Sequence, residues 1–284
     1  MADPPDRGVR MIPPVEAEAS VGTYDEDWHR IAQWEHDALR LLVRYVRGGR
    51  FADGAALTVV MVVNPLLLLV GRRWPRRTCE CCGWRGVEFL WAHHGRWVVR
   101  DSICPHCESR PRHRALTLLV PSVVPADAVR NALHFAPEPL LAAALRARYP
   151  GAEYRTTDLY RTDVDLPGED VQALTIADAS ADLVICNHVL EHVTDDERAI
   201  AELARVTAPG GVAFVTVPGD WTGSPTVTFD RPDENGHLRH YGADVATLLR
   251  RSFAEVRSVG AESISPDPRR NGIRTDEPVF VCRP

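Results

Sequence analysis

Apolar and polar positions recur in two rhythms along this chain, and the change of rhythm divides it. Residues 1 to about 22 are rich in Pro, Glu and Ala and predict a flexible tail. Thr23 with Glu26 three residues on has the capping-box pattern. Trp28, Ile31, Ala32, Ala38, Leu39, Leu42 and Val46 then follow at helical spacing, so an amphipathic helix should run to Gly48-Gly49. Ala55 to Val70 is apolar apart from Thr58 and Asn64, and Asn64-Pro65 predicts a break into two buried or half-exposed helices. From Ala128 onward strand-like and helix-like runs alternate. "RNALHFA" predicts a buried strand, "PLLAAALRARYP" a helix ending at proline, "AEYRTTDLY" the next strand and "ADLVICN" a central one. "DDERAIAELARVTAPGG" has acids in its first turn and Pro-Gly-Gly after its end, as a helix before the strand "VAFVTVP" should. "FAEVRSVGAES" and "PVFVCRP" close the chain as two more strands. Alternation of this kind predicts an α/β fold with a parallel sheet covered by helices.

Composition adds limits rather than identity. A formal charge of -6 gives no global field toward nucleic acid or an anionic membrane. The arginine-rich runs "GRRWPRR" and "SRPRHR" are expected to be solvated. The acidic, proline-containing start "MADPPDRG" is unlike an export signal, which makes a cytoplasmic location the expectation. The apolar run 55–70 falls short of the roughly 20 residues that span a bilayer. Burial is therefore the first expectation for it, and membrane or partner contact the second.

The cysteines change the picture more. In a reducing compartment seven cysteines are expected as metal ligands or core thiols. Cys79 and Cys82 form one C-x-x-C knuckle, Cys104 and Cys107 another, with 21 residues between the pairs. Four thiolates so arranged fit a structural, tetrahedral Zn2+ site, closed to substrate. Gly83 suits the turn after the first knuckle, and the segment between the pairs suits a short hairpin. Cys81 is the odd thiol, with His93, His94 and His106 as alternative ligands. A second reading has the ribbon grip nucleic acid through Arg110, Arg112, His113 and Arg114.

If "RNALHFA" is the first strand, a nucleotide would lie at its carboxyl end, where "APEPLL" opens the next helix. Asp158, 20 residues after Glu138, ends the second strand, where an acid holds ribose hydroxyls. The rival roles are a strand-end turn for Asp158, a surface acid for Asp170 and a helix cap for Glu138. "ALHFAPE", "TTDLY", the run from Asp170 to "ADLVICNHVLEHV" and "ELARVTAPGGVAFVTVP" together resemble a class I S-adenosylmethionine-dependent methyltransferase of the methyltransferase-11 type. With the cysteine block and "RPRHRAL", the chain resembles a bacterial subgroup with a zinc knuckle before that domain.

The resemblance implies a Rossmann-like seven-stranded sheet with an antiparallel last strand. A tail and helical region (1–77) and a zinc module with its connecting helix (78–127) would precede it, leaving 128–284 as the methyltransferase domain. It also implies S-adenosylmethionine bound by the loop His134, Phe135, Ala136, Pro137 and Glu138 beside its methionine part. Asp158 and Leu159 would lie at the ribose, Asp170 and Val171 at the adenine, and Asn187 and His188 at the end of the fourth strand. The first loop is Ala-Pro where most relatives are Gly-rich, a departure the subgroup shares. Segments after the fourth and fifth strands would face the methyl group; they hold His188, Glu191, His192, Trp221, His237, His240 and Tyr241. His188 is the first candidate for the base, His240 with Tyr241 the second, and Glu191-His192 is expected to be architectural. His-x-x-Glu-His is also an inverted zinc-protease pattern, but that chemistry needs a long helix and here a strand precedes the motif. The implied reaction is methyl transfer to an O or N atom of a small molecule or peptide, with a biosynthetic pathway as one setting for it. An RNA methyltransferase and a non-catalytic cofactor- or partner-binding module, either of them a monomer or a homo-oligomer, stand as alternatives.

Overall fold

The computed structural model describes residues 37–71, 74–94, 96–233, 235–274 and 276–284. The expected tail, the capping pattern at Thr23 and Glu26, and Trp28, Ile31 and Ala32 lie outside the described residues. Helix α1 (37–47) stops at Gly48-Gly49, where Gly49 takes φ +70° and Arg50 N–H bonds back to Tyr45 O. The expected break at Asn64-Pro65 is absent: α2 (Phe51–Gly71) runs through Pro65 as one helix. Tertiary contacts override the local signal. Leu57, Val60, Asn64 and Leu68, spaced as one helical face, are buried. Asn64 also clamps a strand edge, donating to Trp91 O at 3.0 Å and accepting from Trp91 N–H at 2.8 Å. Val59, Val62, Leu66 and Leu69 lie on the exposed side. By length and composition alone, Phe51–Val70 is also sufficient to cross a membrane.

The cysteine block consists of two small antiparallel ribbons. They are β1 (Arg77–Thr78) with β2 (Arg85–Gly86), and the hairpin β3 (Leu90–His94) with β4 (Trp97–Ile103). Helix α3 (Pro111–Val123) leads into the main sheet. Seven strands follow: β5 (Asn131–Phe135), β6 (Glu153–Asp158), β7 (Leu166–Pro167), β8 (Ala181–Asn187), β9 (Thr207–Thr216), β12 (Glu255–Val259) and β13 (Val279–Arg283). Between β9 and β12 an excursion carries the ribbon β10 (Val227–Thr228) with β11 (Arg239–His240), which has no counterpart among the expected elements. The sheet order is β12-β13-β9-β8-β5-β6-β7, and only β13 runs antiparallel to its neighbours.

Both faces of the sheet are covered, so its central strands carry apolar residues toward both sides. On β8, Val184 and Cys186 point into one core with Ile200, Leu203 and Val206 of α5 (Asp196–Val206). Leu183 and Ile185 point into the other, with Leu116 and Leu119 of α3 and Leu141 and Leu145 of α4 (Pro139–Arg148). Helix α3 thus belongs to the core of the sheet. The carboxyl ends of β5, β6, β8 and β9 open together along one edge.

Candidate functional site

At the end of β5 the chain must turn sharply to enter α4. Ala136 does so in the left-handed region at φ +45°, its N–H held by Thr157 O at 2.8 Å. This is a glycine-type conformation adopted at a cost by an alanine, so the Ala-Pro loop keeps the backbone path of a Gly-rich one. His188, just after β8, takes φ +52° and bonds Thr216 O through its N–H. Strained backbone at both strand ends marks this edge as a place held for function.

Glu138 sits between those ends. It precedes α4 but makes no side-chain cap bond. Instead its Oε1 accepts from Asn187 Nδ2 and lies 3.0 Å from His113 Nε2, with Arg112 Nη2 at 3.8 Å. Arg110 N–H donates to His113 Nδ1, which places the ring proton on Nε2, facing Glu138. Burial depresses the His113 pKa. For Glu138 burial acts to raise the carboxyl, but His113, through its charge and hydrogen bond, and the nearby His134 ring hold it well below the usual range. Three buried polar atoms here have no hydrogen-bond partner: Glu138 Oε2, His134 Nε2 and Arg112 Nε. Two of them face each other, His134 Nε2 lying 3.8 Å from Glu138 Oε2, too long for a hydrogen bond and open to a polar ligand that would satisfy both.

Asp158 ends β6, and its Oδ1 accepts from the N–H groups of Tyr160 and Arg161. Arg161 in turn binds Pro137 O at 2.8 Å and so ties the two loops together. Asp170 accepts from the backbone and side chain of Gln172, while Val171 is buried in the core. Leu159 is exposed and Phe135 is buried. A small cleft at the ends of β8 and β9 is lined by Arg112, His188, Thr216, Arg274 and Glu277, and by none of the residues expected at the cofactor's ribose or adenine.

The methyltransferase domain family matches residues 126–215, which span β5 to β9 and every strand end just described. The chain carries a class I S-adenosylmethionine-dependent methyltransferase domain. A probable S-adenosylmethionine-dependent methyltransferase of Mycolicibacterium smegmatis is 31% identical over 153 residues, covering 52% of this chain and 54% of that protein. One from Mycobacterium tuberculosis is 33% identical over 120 residues, or 42% of this chain and 39% of its own. The matches thus span about half or less of these relatives. An O-methyltransferase family protein from Burkholderia thailandensis superposes with a TM-score of 0.42 at 14% identity, over 61% of this chain and 58% of that one.

Within the methyltransferase domain, His188 lines the cleft, but the other two expected catalytic residues stand apart from it. His240 is exposed on β11. Tyr241 is fully buried, and its hydroxyl bonds Leu190 O at 3.2 Å and Asp196 Oδ2 at 2.9 Å. Burial pushes that hydroxyl's pKa up, so Tyr241 is a core strut. The β10–β11 excursion that carries both residues folds back onto the loop after β8, where Leu238 N–H bonds Glu191 O.

The four knuckle thiols converge. Cys79 Sγ lies 3.6 Å from Cys107 Sγ and Cys82 Sγ 3.7 Å from Cys104 Sγ, and all four fall within 4.8 Å of one another. None is in a disulfide, and Cys81 stands beside the set with its Sγ 3.3 Å from Thr117 Oγ1. Four thiolates at roughly 2.3 Å around a tetrahedral ion would stand about 3.8 Å apart, close to the two shortest separations here, so the set fits a zinc ion. The expectation of solvated arginines fails next to it. Arg114 is fully buried, lies over the Phe89 ring at 4.0 Å and donates to the carbonyls of Ser102, Ser109, Asn271 and Gly272. Nearby thiolates need a counter-charge, and burial makes this one local. His113 is buried too, so only Arg110 and Arg112 of the "RPRHR" group keep any exposure.

The loop after β8 holds a second cluster that sequence reasoning took as architecture. Glu191 is fully buried, and neither carboxyl oxygen has a hydrogen-bond partner. His192 and His237 offer ring nitrogens within 4.8 Å of it and of each other. The only sequence signal was the adjacency in His188-x-x-Glu191-His192. The protease reading of it fails, since no helix covers these residues.

Proposed function

We propose that the protein transfers a methyl group from S-adenosylmethionine to an O or N atom of a small molecule or peptide, with His188 as the proton acceptor. The observation that carries this reading is Glu138: a buried carboxylate at the end of the first strand with one oxygen saturated and the other orphaned. An orphaned carboxylate oxygen fits the ammonium of the cofactor's methionine, and Arg112 beside it fits the carboxylate. Asp158, with Oδ1 spent on its own turn, offers Oδ2 for the ribose hydroxyls. Asp170 and Val171 are assigned to the adenine end. S-adenosylmethionine supplies, when bound, an electrophilic methyl on a sulfonium.

The chain's own task is therefore to align the acceptor and exclude water. His188 stands at the cleft with Thr216 fixing its backbone, placed to take the proton an acceptor hydroxyl or amine releases as it gains the methyl carbon. A structural Zn2+ on Cys79, Cys82, Cys104 and Cys107 would hold the knuckles against α3, and so hold Arg112 and His113 against Glu138.

Calorimetric titration with S-adenosylmethionine tests the reading. Binding is expected, and Asp158→Ala should weaken it. No binding, or binding indifferent to that change, would sink the reading. Turnover left intact by His188→Ala would remove the base while leaving the cofactor site standing.

A further inference from the structure

We propose that Glu191, His192 and His237 form a binding site for one divalent transition-metal ion, beside His188 at the edge of the cleft and separate from the four-cysteine cluster. Two imidazoles and a carboxylate are a donor set for borderline divalent ions such as Mn2+, Fe2+ and Zn2+. Their ligand atoms lie within 4.8 Å of one another, close enough to share a single ion after small side-chain rotations.

The first independent observation is the state of Glu191. Its carboxyl is 0% exposed, and both oxygens lack hydrogen-bond partners. His188 Nδ1 at 3.3 Å and His192 Nε2 at 3.9 Å approach Oε1 without hydrogen-bonding geometry. A buried carboxyl left in this way is rare unless something else binds it.

The second is the outer shell. His192 Nδ1 lies 3.1 Å from Gly236 O, and Asp233 Oδ2 lies 3.4 Å from His237 Nδ1. A carbonyl and a carboxylate on the far nitrogens are the supports that orient metal-bound histidines and leave the other nitrogen for the ion. The support is held by further hydrogen bonds. Asp233 Oδ1 takes the N–H groups of Asn235 and His237, and Leu238 N–H bonds Glu191 O at 2.7 Å. Arg239, buried, donates to the carbonyls of Leu190, Val193 and Thr194. Arg239 and Tyr241 thus bolt the excursion that carries His237 onto the loop that carries Glu191 and His192. Three protein ligands leave positions open on the ion, and His188 joins this cluster to the cleft, so those positions suit an oxygen ligand, water or acceptor.

Mn2+ is the probe of choice, because it favours nitrogen and oxygen over thiolates and spares the cysteine cluster. Full-length protein with zinc supplied to its cysteines is titrated with MnCl2, following loss of the free-ion electron paramagnetic resonance signal. One Mn2+ per chain is expected, with spin-echo modulation from directly bound imidazole nitrogen. His237→Ala and Glu191→Gln should each weaken binding at least ~10-fold while still unfolding cooperatively on heating. No uptake by the wild-type protein, uptake without imidazole coupling, or equal uptake by both folded variants would overturn the site. None of these readouts needs S-adenosylmethionine, so the site and the methyltransferase reading can fail separately.

Discussion

Two clusters of soft and borderline ligands lie in one chain, and they are built on opposite principles. The four thiols of the knuckle are local in sequence and close on themselves, at sulfur separations of 3.6 and 3.7 Å, with a buried arginine as counter-charge. Glu191, His192 and His237 come from two loops distant in sequence, brought together by Arg239, Tyr241, the Asp233 turn and the bonds of Gly236 O and Leu238 N–H to the loop after β8. A closed set of ligands serves stability, because nothing further can coordinate there. An open set with unsatisfied oxygens costs stability and is kept where a ligand will come.

The largest effect should come from breaking the closed cluster. Cys79→Ser with Cys107→Ser is expected to abolish zinc content and to cost on the order of 5 kcal/mol or more of unfolding free energy, measured by metal analysis and denaturant melts. Unaltered stability would make the cluster ornamental. Next comes Arg114→Met, which keeps length and apolar bulk but strands the carbonyls of Ser102, Ser109, Asn271 and Gly272. About 3 to 5 kcal/mol should be lost, in the manner of one partner removed from a buried charge network.

These two expectations show how unevenly the sequence reveals the molecule. The sheet was legible because its central strands are largely apolar runs bounded by Asp, Pro or Gly, as in "ADLVICN" and "PGGVAFVTVP". The thiol site was legible because its spacing is local. Arg114 was not, since an arginine among arginines carries no mark of burial until the carbonyls of Asn271 and Gly272 arrive from the far end of the chain. Pro65 misled because the clamp between Asn64 and Trp91 is a tertiary contact. His237 was visible only as one of several histidines after the fifth strand, because its partners depend on how the excursion folds back.

Glu138 lies between the two clusters in character: half of its carboxylate is satisfied like a structural group and half is open like a ligand site. Glu138→Gln should therefore weaken S-adenosylmethionine binding roughly 10-fold or more, as loss of a charged hydrogen bond does, with little change in the fold. Because the folded pKa lies below the ordinary 4.5, the stabilisation from its ionised form is complete above that value. It is lost only as pH falls through the lower folded pKa. Affinity of the wild-type protein should accordingly stay flat from neutral pH down to about the ordinary carboxyl range, by calorimetry. A fall beginning near neutrality would assign the ammonium to a different group.

The smallest effect is the one that separates the clusters by sign. Glu191→Met removes two unpartnered oxygens while keeping length and volume, and exchanging an unsatisfied polar group for an apolar one is neutral or stabilising. In chelator the variant should match or exceed the wild type by about 1 to 2 kcal/mol in thermal or denaturant unfolding. Mn2+ at 100 times its dissociation constant should then raise the wild type alone by roughly 2.7 kcal/mol, because only the wild type binds it, and so reverse the order. Cysteine variants cannot behave this way, since their ligands have no favourable metal-free alternative. If Glu191→Met is instead strongly destabilised in chelator and Mn2+ changes neither protein, Glu191 is an ordinary structural carboxyl. The two clusters would then no longer differ in kind.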